Sequence, residues 1–387
     1  MRLVIASLAC CLLLTVCSRA DEAFDAKVDA SIAKGAQWLI EHQNEDGSYG
    51  KYPHPAMSAL AITALAKAPG VDVKARDAAI DKALAYMLSF KQPNGAIYPA
   101  DRSDKDSANF PNYTTAISLL ALNELGREEH MEIMKKARDY LMDSQFSDPR
   151  SVDYGGVGYG KTGRADLSNG SWAAEALYKT EWLTQEPYAE DEAAAQAAEG
   201  MWVKMQTFLT RVQNLPESNA EGYVSTDASD RGGFIYRPNE SKAGSRDGEE
   251  AVSNLISSGS MTYAGLKSMI YARLERKDIR VKAAMEYLMK TWTLEENPGM
   301  GQQGLYYYLH VMTKALDVYG EDTITTADGT SHQWRVEVAD RFIAMQKEDG
   351  RWQNENGRFM ESLPELSTPY ALIALKTIRH GQTPAKN

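Results

Sequence analysis

The chain has 387 residues, 43% hydrophobic and 25% charged, with a formal net charge of −11. This composition excludes a disordered or collagen-like chain, and its acidity argues against nonspecific binding to nucleic acid or to an anionic membrane surface. The three cysteines, Cys10, Cys11 and Cys17, all lie near the start, so removing that segment leaves no thiolate nucleophile, disulfide or cysteine-held metal.

Residues 1–20 read as an export signal. Arg2 supplies the positive start, Leu3 to Val16 the apolar run and Ser18-Arg-Ala20 the small-x-small cleavage pattern. Cleavage after Ala20 leaves a periplasmic or extracellular chain beginning at Asp21, and the loss of Arg2 and Arg19 takes its charge from −11 to −13. The apolar run is too short for a stable membrane span, so the mature chain is read without one. The competing reading is a lipoprotein acylated at Cys17, but Val16 stands where a small residue is usual. Residues 21–387 read as one domain with an irregular insertion at about 214–248.

Asp29 to His42 reads as the first helix, stopped by Asp46-Gly47, because glycine enters the left-handed conformation at low cost. Leu39 and Gln43, four apart, lie on one helical face. Ser58-Ala-Leu-Ala-Ile-Thr-Ala-Leu65 is a second, alanine-rich helix ending near Pro69-Gly70. The four-residue spacing returns at Leu88 to Gln92, Leu141 to Gln145, Leu209 to Gln213 and Phe342 to Gln346, and in degenerate form at Leu288 to Trp292. Glycines and an aromatic residue follow most copies. Each copy is answered by a second helix: Thr115–Leu122, Ser171–Leu177, Thr262–Met269, Leu305–Leu316 and Thr368–Leu375. Several of these begin with Ser or Thr, read as helix caps, and Pro369 suits a first helical position. Short strands are expected near Tyr223–Val224 and Phe234–Tyr236.

Six helix pairs recurring at roughly 50–80 residues describe a repeat protein. The second helices are apolar all round, as for helices buried on both sides, and the first are amphipathic. Six such pairs can close into an inner and an outer ring, with an open solenoid as the competing arrangement. The fold class expected is all-α, an α/α toroid of six helix hairpins.

The Leu-x-x-x-Gln turn, followed by Asp-Gly and an aromatic residue, resembles the QW repeat of squalene–hopene cyclases and protein prenyltransferase β-subunits. Thr115-Ala116 and Ala121-Leu122 look like that family's inner helix. The resemblance covers about residues 30–380 and implies an α/α toroid; fold does not fix function. Triterpene cyclases carry Asp-x-Asp-Asp before the inner helix, its middle Asp protonating the substrate. The matching segments here are His54-Pro-Ala-Met57, Pro111-Asn-Tyr-Thr114, Asp166-Leu-Ser-Asn169, Ser258-Gly-Ser-Met261 and Pro364-Glu-Leu-Ser367, none with an acid in third place. Asp104-Lys-Asp106 is the nearest fragment. Prenyltransferase zinc would need a cysteine, and the six histidines offer no pair at ligand spacing. A thioester protein of toroid shape would need a Cys-Gly-Glu-Gln segment, also absent. No metal or other cofactor is expected.

The starts of the inner helices are expected to line a central cavity with His54, Tyr113, Trp172, Tyr263, Tyr306, Tyr307 and Tyr370. Such rings suit a carbocation, an apolar ligand or a stacked sugar, and they equally suit plain core filling. Candidate catalytic groups are Asp104, Asp166, Arg246, Glu249, Glu250 and Glu361. Helix capping is the plainer role for Asp166, and a solvated charge pair for Glu249-Glu250. Gly155-Gly-Val-Gly158-Tyr-Gly160 lacks the strand and helix of a nucleotide fold. The leading expectation is a noncanonical toroid that binds a hydrophobic, isoprenoid-like small molecule or lipid. The alternatives are a polysaccharide lyase or hydrolase and a noncatalytic scaffold. An enzyme here would be terpenoid cyclase-like or carbohydrate-active.

Overall fold

The computed structural model describes residues 2–51, 54–100, 110–188 and 192–381. These are mostly helical. In chain order the helices are α1 (Arg2–Glu41), α2 (Pro55–Leu65), α3 (Val73–Leu88), α4 (Pro111–Leu125), α5 (Met131–Asp143), α6 (Leu167–Lys179), α7 (Glu192–Arg211), α8 (Gly259–Tyr271), α9 (Ile279–Lys290), α10 (Leu305–Tyr319), α11 (Trp334–Met345) and α12 (Pro364–Gly381). One small antiparallel pair, β1 (Ile324–Thr325) with β2 (Ser331–His332), lies between α10 and α11. Among the described residues no helix is long and apolar enough to cross a membrane.

The even-numbered helices touch in a closed cycle: α2 on α4, α4 on α6, α6 on α8, α8 on α10, α10 on α12, and α12 back on α2. The odd-numbered helices flank them, with α3 on α2, α5 on α4, α9 on α8, and both α1 and α11 on α12. The pattern of burial follows from this placement. Every residue of α2 except Thr63 is buried, whereas α3 buries only the stripe Ala79, Ile80, Ala83, Leu84 and Met87. Alanines such as Ala56, Ala59, Ala61 and Ala64 let the inner helices approach closely while remaining good helix formers.

The recurring glutamine links one outer helix to the next. Gln43 Nε2 donates to the Ala79 carbonyl in α3 at 2.8 Å, and Gln145 Nε2 to Met201 in α7 at 3.0 Å. Gln213 Nε2 donates to Arg280 in α9 at 2.8 Å, and Gln346 Nε2 to Ser31 in α1 at 3.0 Å, joining the last outer helix to the first. Gln43, Gln145, Gln213 and Gln346 also donate to a glycine carbonyl in their own turn, at Gly47, Gly155, Gly232 and Gly350. Gln92 departs from this pattern and holds Phe90 and Tyr98 within its own turn. Gly155 shows why the turn needs glycine: its φ is +84°, and a Cβ there would run into the Lys204 carbonyl of α7.

The inner helices start about one turn earlier than the Ser/Thr positions suggest, at Pro55, Pro111, Leu167, Gly259 and Pro364. Proline suits a helix start because its missing N–H has no helical acceptor there. Pro369 instead lies inside α12. Thr115, Thr262 and Thr368 are therefore not caps. Their hydroxyls accept the backbone N–H of Ile97 at 2.9 Å, Phe234 at 3.0 Å and Trp352 at 3.0 Å, so each inner helix holds the turn that precedes it. Phe234 forms isolated bridges to Gln213 and Ser258, without a strand, and Tyr223–Val224 forms none. The long α7–α8 connection is organised by two buried side chains. Asn214 Nδ2 donates to the Leu255 carbonyl at 2.7 Å, and Asp230 accepts from Ser225 Oγ, the Ser257 N–H and Arg246 Nε.

Candidate functional site

The axis of the ring holds a cavity of about 230 Å³. Every inner helix contributes to its wall: Leu60 and Thr63 from α2, Ile117 and Leu120 from α4, Trp172 and Glu175 from α6, Tyr271 from α8, Lys314 from α10 and Ile373 from α12. Leu60, Ile117 and Trp172 lie near the middle of their helices, and Leu120, Glu175, Tyr271, Lys314 and Ile373 in the later halves. A groove of about 650 Å³ also runs outside the ring, between α7, α9 and residues 218–221. No element of the inner ring reaches it, so it is set apart from the axial chemistry.

Beside the cavity, toward the starts of the inner helices, rings pack together around Trp172. Trp172 stacks on Tyr370 at 6.4 Å, meets Tyr113 edge-on at 6.3 Å and lies 5.6 Å from His310. Tyr307 lies 6.0 Å from Tyr370, and the Tyr113 and Tyr370 hydroxyls are 3.5 Å apart. Burial pushes the Tyr113 phenol up to about 12 and that of Tyr307 higher still. Burial, then Lys314, keeps His310 well below its ordinary value and therefore neutral. Its Nδ1 is 3.1 Å from the Tyr370 carbonyl, so the proton sits on Nδ1.

The rings named from sequence thus divide. Trp172 is on the cavity wall, and Tyr113, Tyr307 and Tyr370 form the plug behind it. Tyr263 instead pairs with Tyr308 at 5.7 Å, and the Tyr306 hydroxyl points to the Gln353 carbonyl. His54 caps α2, its Nδ1 accepting the Ala56 N–H at 3.2 Å. The expectation that the starts of the inner helices line the open space is corrected in this respect. Tyr113, Tyr307 and Tyr370 pack against one another, while the gap is lined by Leu60, Ile117, Leu120 and Ile373 together with Trp172, Glu175, Tyr271 and Lys314.

Beneath Trp172 lies a charged cluster that the sequence reading did not single out. Glu175 Oε2 accepts from Lys267 Nζ at 2.6 Å, and its Oε1 accepts from Lys314 Nζ. Both lysines also face the Trp172 ring, at 5.6 and 5.4 Å from its centre. Burial alone would raise the Glu175 carboxyl, but the two ammonium groups more than offset it and hold it ionised, well below its usual range. Burial outweighs Glu175 at Lys267, which falls to about 8. The two partners move in opposite senses energetically because one carboxylate is divided between two cations. A signal was legible: Glu175 follows Ala173-Ala174 and Lys267 follows Ala264-Gly265-Leu266 on inner helices read as buried, where a charge is costly unless paired.

The candidate acids and Arg246 lie apart from this cavity. Asp166 caps α6, its Oδ1 accepting the Asn169 N–H at 2.9 Å and its Oδ2 the Asn169 amide at 2.8 Å. Burial nevertheless pushes its carboxyl up to about 6. Glu361 sits at the start of α10, accepting the N–H groups of Tyr307 at 2.7 Å and Tyr306 at 3.2 Å; burial raises it despite those bonds. Arg246 is tied to Asp230 at 2.5 Å, and Glu249 and Glu250 are exposed. Asp104 lies outside the described residues. Among the described residues no three His, Cys, Asp or Glu side chains are grouped to hold a metal ion.

No protein-family model matches the sequence, and no curated protein matches it either. Solved structures do. The apo form of type II terpene cyclase MstE from Scytonema aligns with a TM-score of 0.50 at 10% identity, over 91% of this chain and 99% of that one. The fold is terpenoid cyclase-like. A variant of MstE solved with its substrate, geranylgeranyl dihydroxybenzoate, aligns equally well at 11% identity, over 92% of this chain and 99% of that one. At such identity the likeness concerns the path of the chain and not its chemistry.

Proposed function

We propose that this chain is an exported toroid of six helix hairpins that takes up an apolar, isoprenoid-like chain in its axial cavity. The observation that carries the reading is the wall itself, where Leu60, Ile117, Leu120 and Ile373 meet Trp172 on the ring axis. Thr63, Asn123, Glu124, Glu175, Lys314 and Asp317 share that wall, so the apolar stripe lies beside converging polar groups that can orient a small molecule. The substrate held by the MstE variant, with its geranylgeranyl chain, supports the same ligand class. The cavity, at 230 Å³, is below the roughly 300–1,000 Å³ of typical ligand sites, so it suits a short chain or the end of a longer one.

The protein is noncanonical among such toroids. The Asp-x-Asp-Asp acid is missing, and Asp166 and Glu361, the buried acids nearest the helix starts, are occupied in holding helix ends. The aromatic plug at that end supports a noncatalytic role for the ring as a second reading, with binding or scaffolding as its task. The sugar-cleaving reading is weaker, because Arg246 is already committed to Asp230.

Binding of a solvatochromic apolar dye, with native mass spectrometry of the purified protein, tests the proposal. Dye fluorescence should rise on binding and be displaced by geraniol. Leu120→Trp, which fills the cavity, should abolish the signal. Absence of dye binding and of any co-purified lipid, or dye binding untouched by Leu120→Trp, would overturn it.

A further inference from the structure

The charges around the axial cavity do not balance. Asp317, on the wall, shares Arg335 with Asp322, at 2.8 and 3.2 Å, and Glu124 faces Lys376 at 3.7 Å. Among the described residues Glu175 is the one carboxylate bonded to Lys267 and Lys314, so the two buried ammonium groups share one counter-charge, while Lys179 stands exposed at the rim of the same wall. An ammonium group carries three donors, yet Lys267 and Lys314 each reach the protein through one hydrogen bond, to Glu175. Both side chains are almost wholly buried, with 3% and 12% of their surface exposed. A buried cation without a full counter-charge is unfavourable in a medium of low polarity. The excess is positive in a protein whose overall charge is −11, so it is a local feature.

We infer that the axial cavity recognises the anionic end of its ligand, a carboxylate or phosphate monoester carried on a short apolar chain, with Lys314 as its main contact. This rests on the proposed apolar site and specifies the ligand further. Lys314 is on the wall itself, whereas Lys267 lies behind Glu175 and holds that carboxylate from the other side. The apolar tail then lies against Leu60, Ile117, Leu120 and Ile373. The anion supplies the missing counter-charge and accepts the free N–H donors of Lys314, and the edge of the Trp172 stack closes the site.

The test is isothermal titration calorimetry of the full chain with geranic acid, geranyl monophosphate, geraniol and inorganic phosphate. At least one of the two anionic lipids should bind tenfold or more tightly than geraniol, and the tighter of the two names the headgroup. In Lys314→Met that preference should vanish while geraniol binding persists; Lys314→Arg should keep it. Lys314→Met leaves Glu175 and Lys267 as a balanced pair, so its unliganded unfolding midpoint should equal or exceed that of the wild type. Equal binding of geraniol and the anionic lipids would overturn this inference and leave the apolar site standing. Saturable binding of inorganic phosphate alone, lost in Lys314→Met, would support the anion site while overturning the apolar one. Failure of every ligand to bind, or a lowered midpoint in Lys314→Met, would overturn the inference.

Discussion

Asp166→Asn should stabilise the protein at neutral pH and leave it unchanged in acid. Asp166 is 1% exposed, and burial places its carboxyl at about 6 against an ordinary 3.8. About two pKa units correspond to ~3 kcal/mol of disfavour for the ionised form. The folded state therefore holds the proton through the window from about 4 to 6 where the unfolded chain has lost it. Stability from this source is fully present below the unfolded value and falls as pH rises through the window. Asparagine caps a helix about as well as aspartate, and the Asn169 Oδ1, which lacks a partner, can accept from the new amide. Loss of attraction to the helix N-terminus costs ~0.3–1 kcal/mol. The expected net gain is about 2 kcal/mol at pH 7, shrinking to near zero by pH 4. Urea unfolding of both proteins at pH 4, 5, 6 and 7 reads it directly. A variant weaker than wild type at pH 7, or a difference that does not change with pH, would refute the reasoning.

Further outcomes follow from the same structure. Gln213→Ala removes the donor to two carbonyls at a fully buried position, so urea unfolding should show a loss of about 3 kcal/mol. Gln92→Ala should cost about a third of that, because its bonds stay within one turn on a partly exposed residue. Glu175→Gln strands two buried ammonium groups and should lower stability by ~3–5 kcal/mol, with near-ultraviolet circular dichroism reporting any loosening around Trp172. Lys267 and Lys376 are both lowered by burial to about 8. The unfolded chain keeps their protons up to about 10.5, so their contribution to stability rises between pH 8 and 10; Lys376→Met should flatten that rise in thermal unfolding.

Much of the architecture could be read before any coordinates. The Leu-x-x-x-Gln spacing and the glycine after it mark places where a helix must end and its last turn must find hydrogen-bond partners. Gln213 illustrates the requirement, since its amide donates both to Gly232 in its own turn and to Arg280 in the first turn of α9. The threonines were legible as positions but not as roles. Thr262 looks like a cap because caps favour that residue, yet it lies inside α8 and accepts an N–H from Phe234, 28 residues earlier. Local propensity cannot reveal a partner that distant.

The sequence by itself determined an all-α chain of alternating buried and amphipathic helices, because hydrophobic period and glycine stops are local properties. Only the tertiary structure decided what occupies the ring axis. Tyr113, Trp172, Tyr307 and Tyr370 come from four different helices, and whether such rings line a space or fill it depends on how the helices rotate about their axes. The pairing of Glu175 with Lys267 and Lys314, 92 and 139 residues away, has the same origin. A charge on a buried helix announces that it needs a partner; closure of the ring determines which partners it meets, and that it meets two.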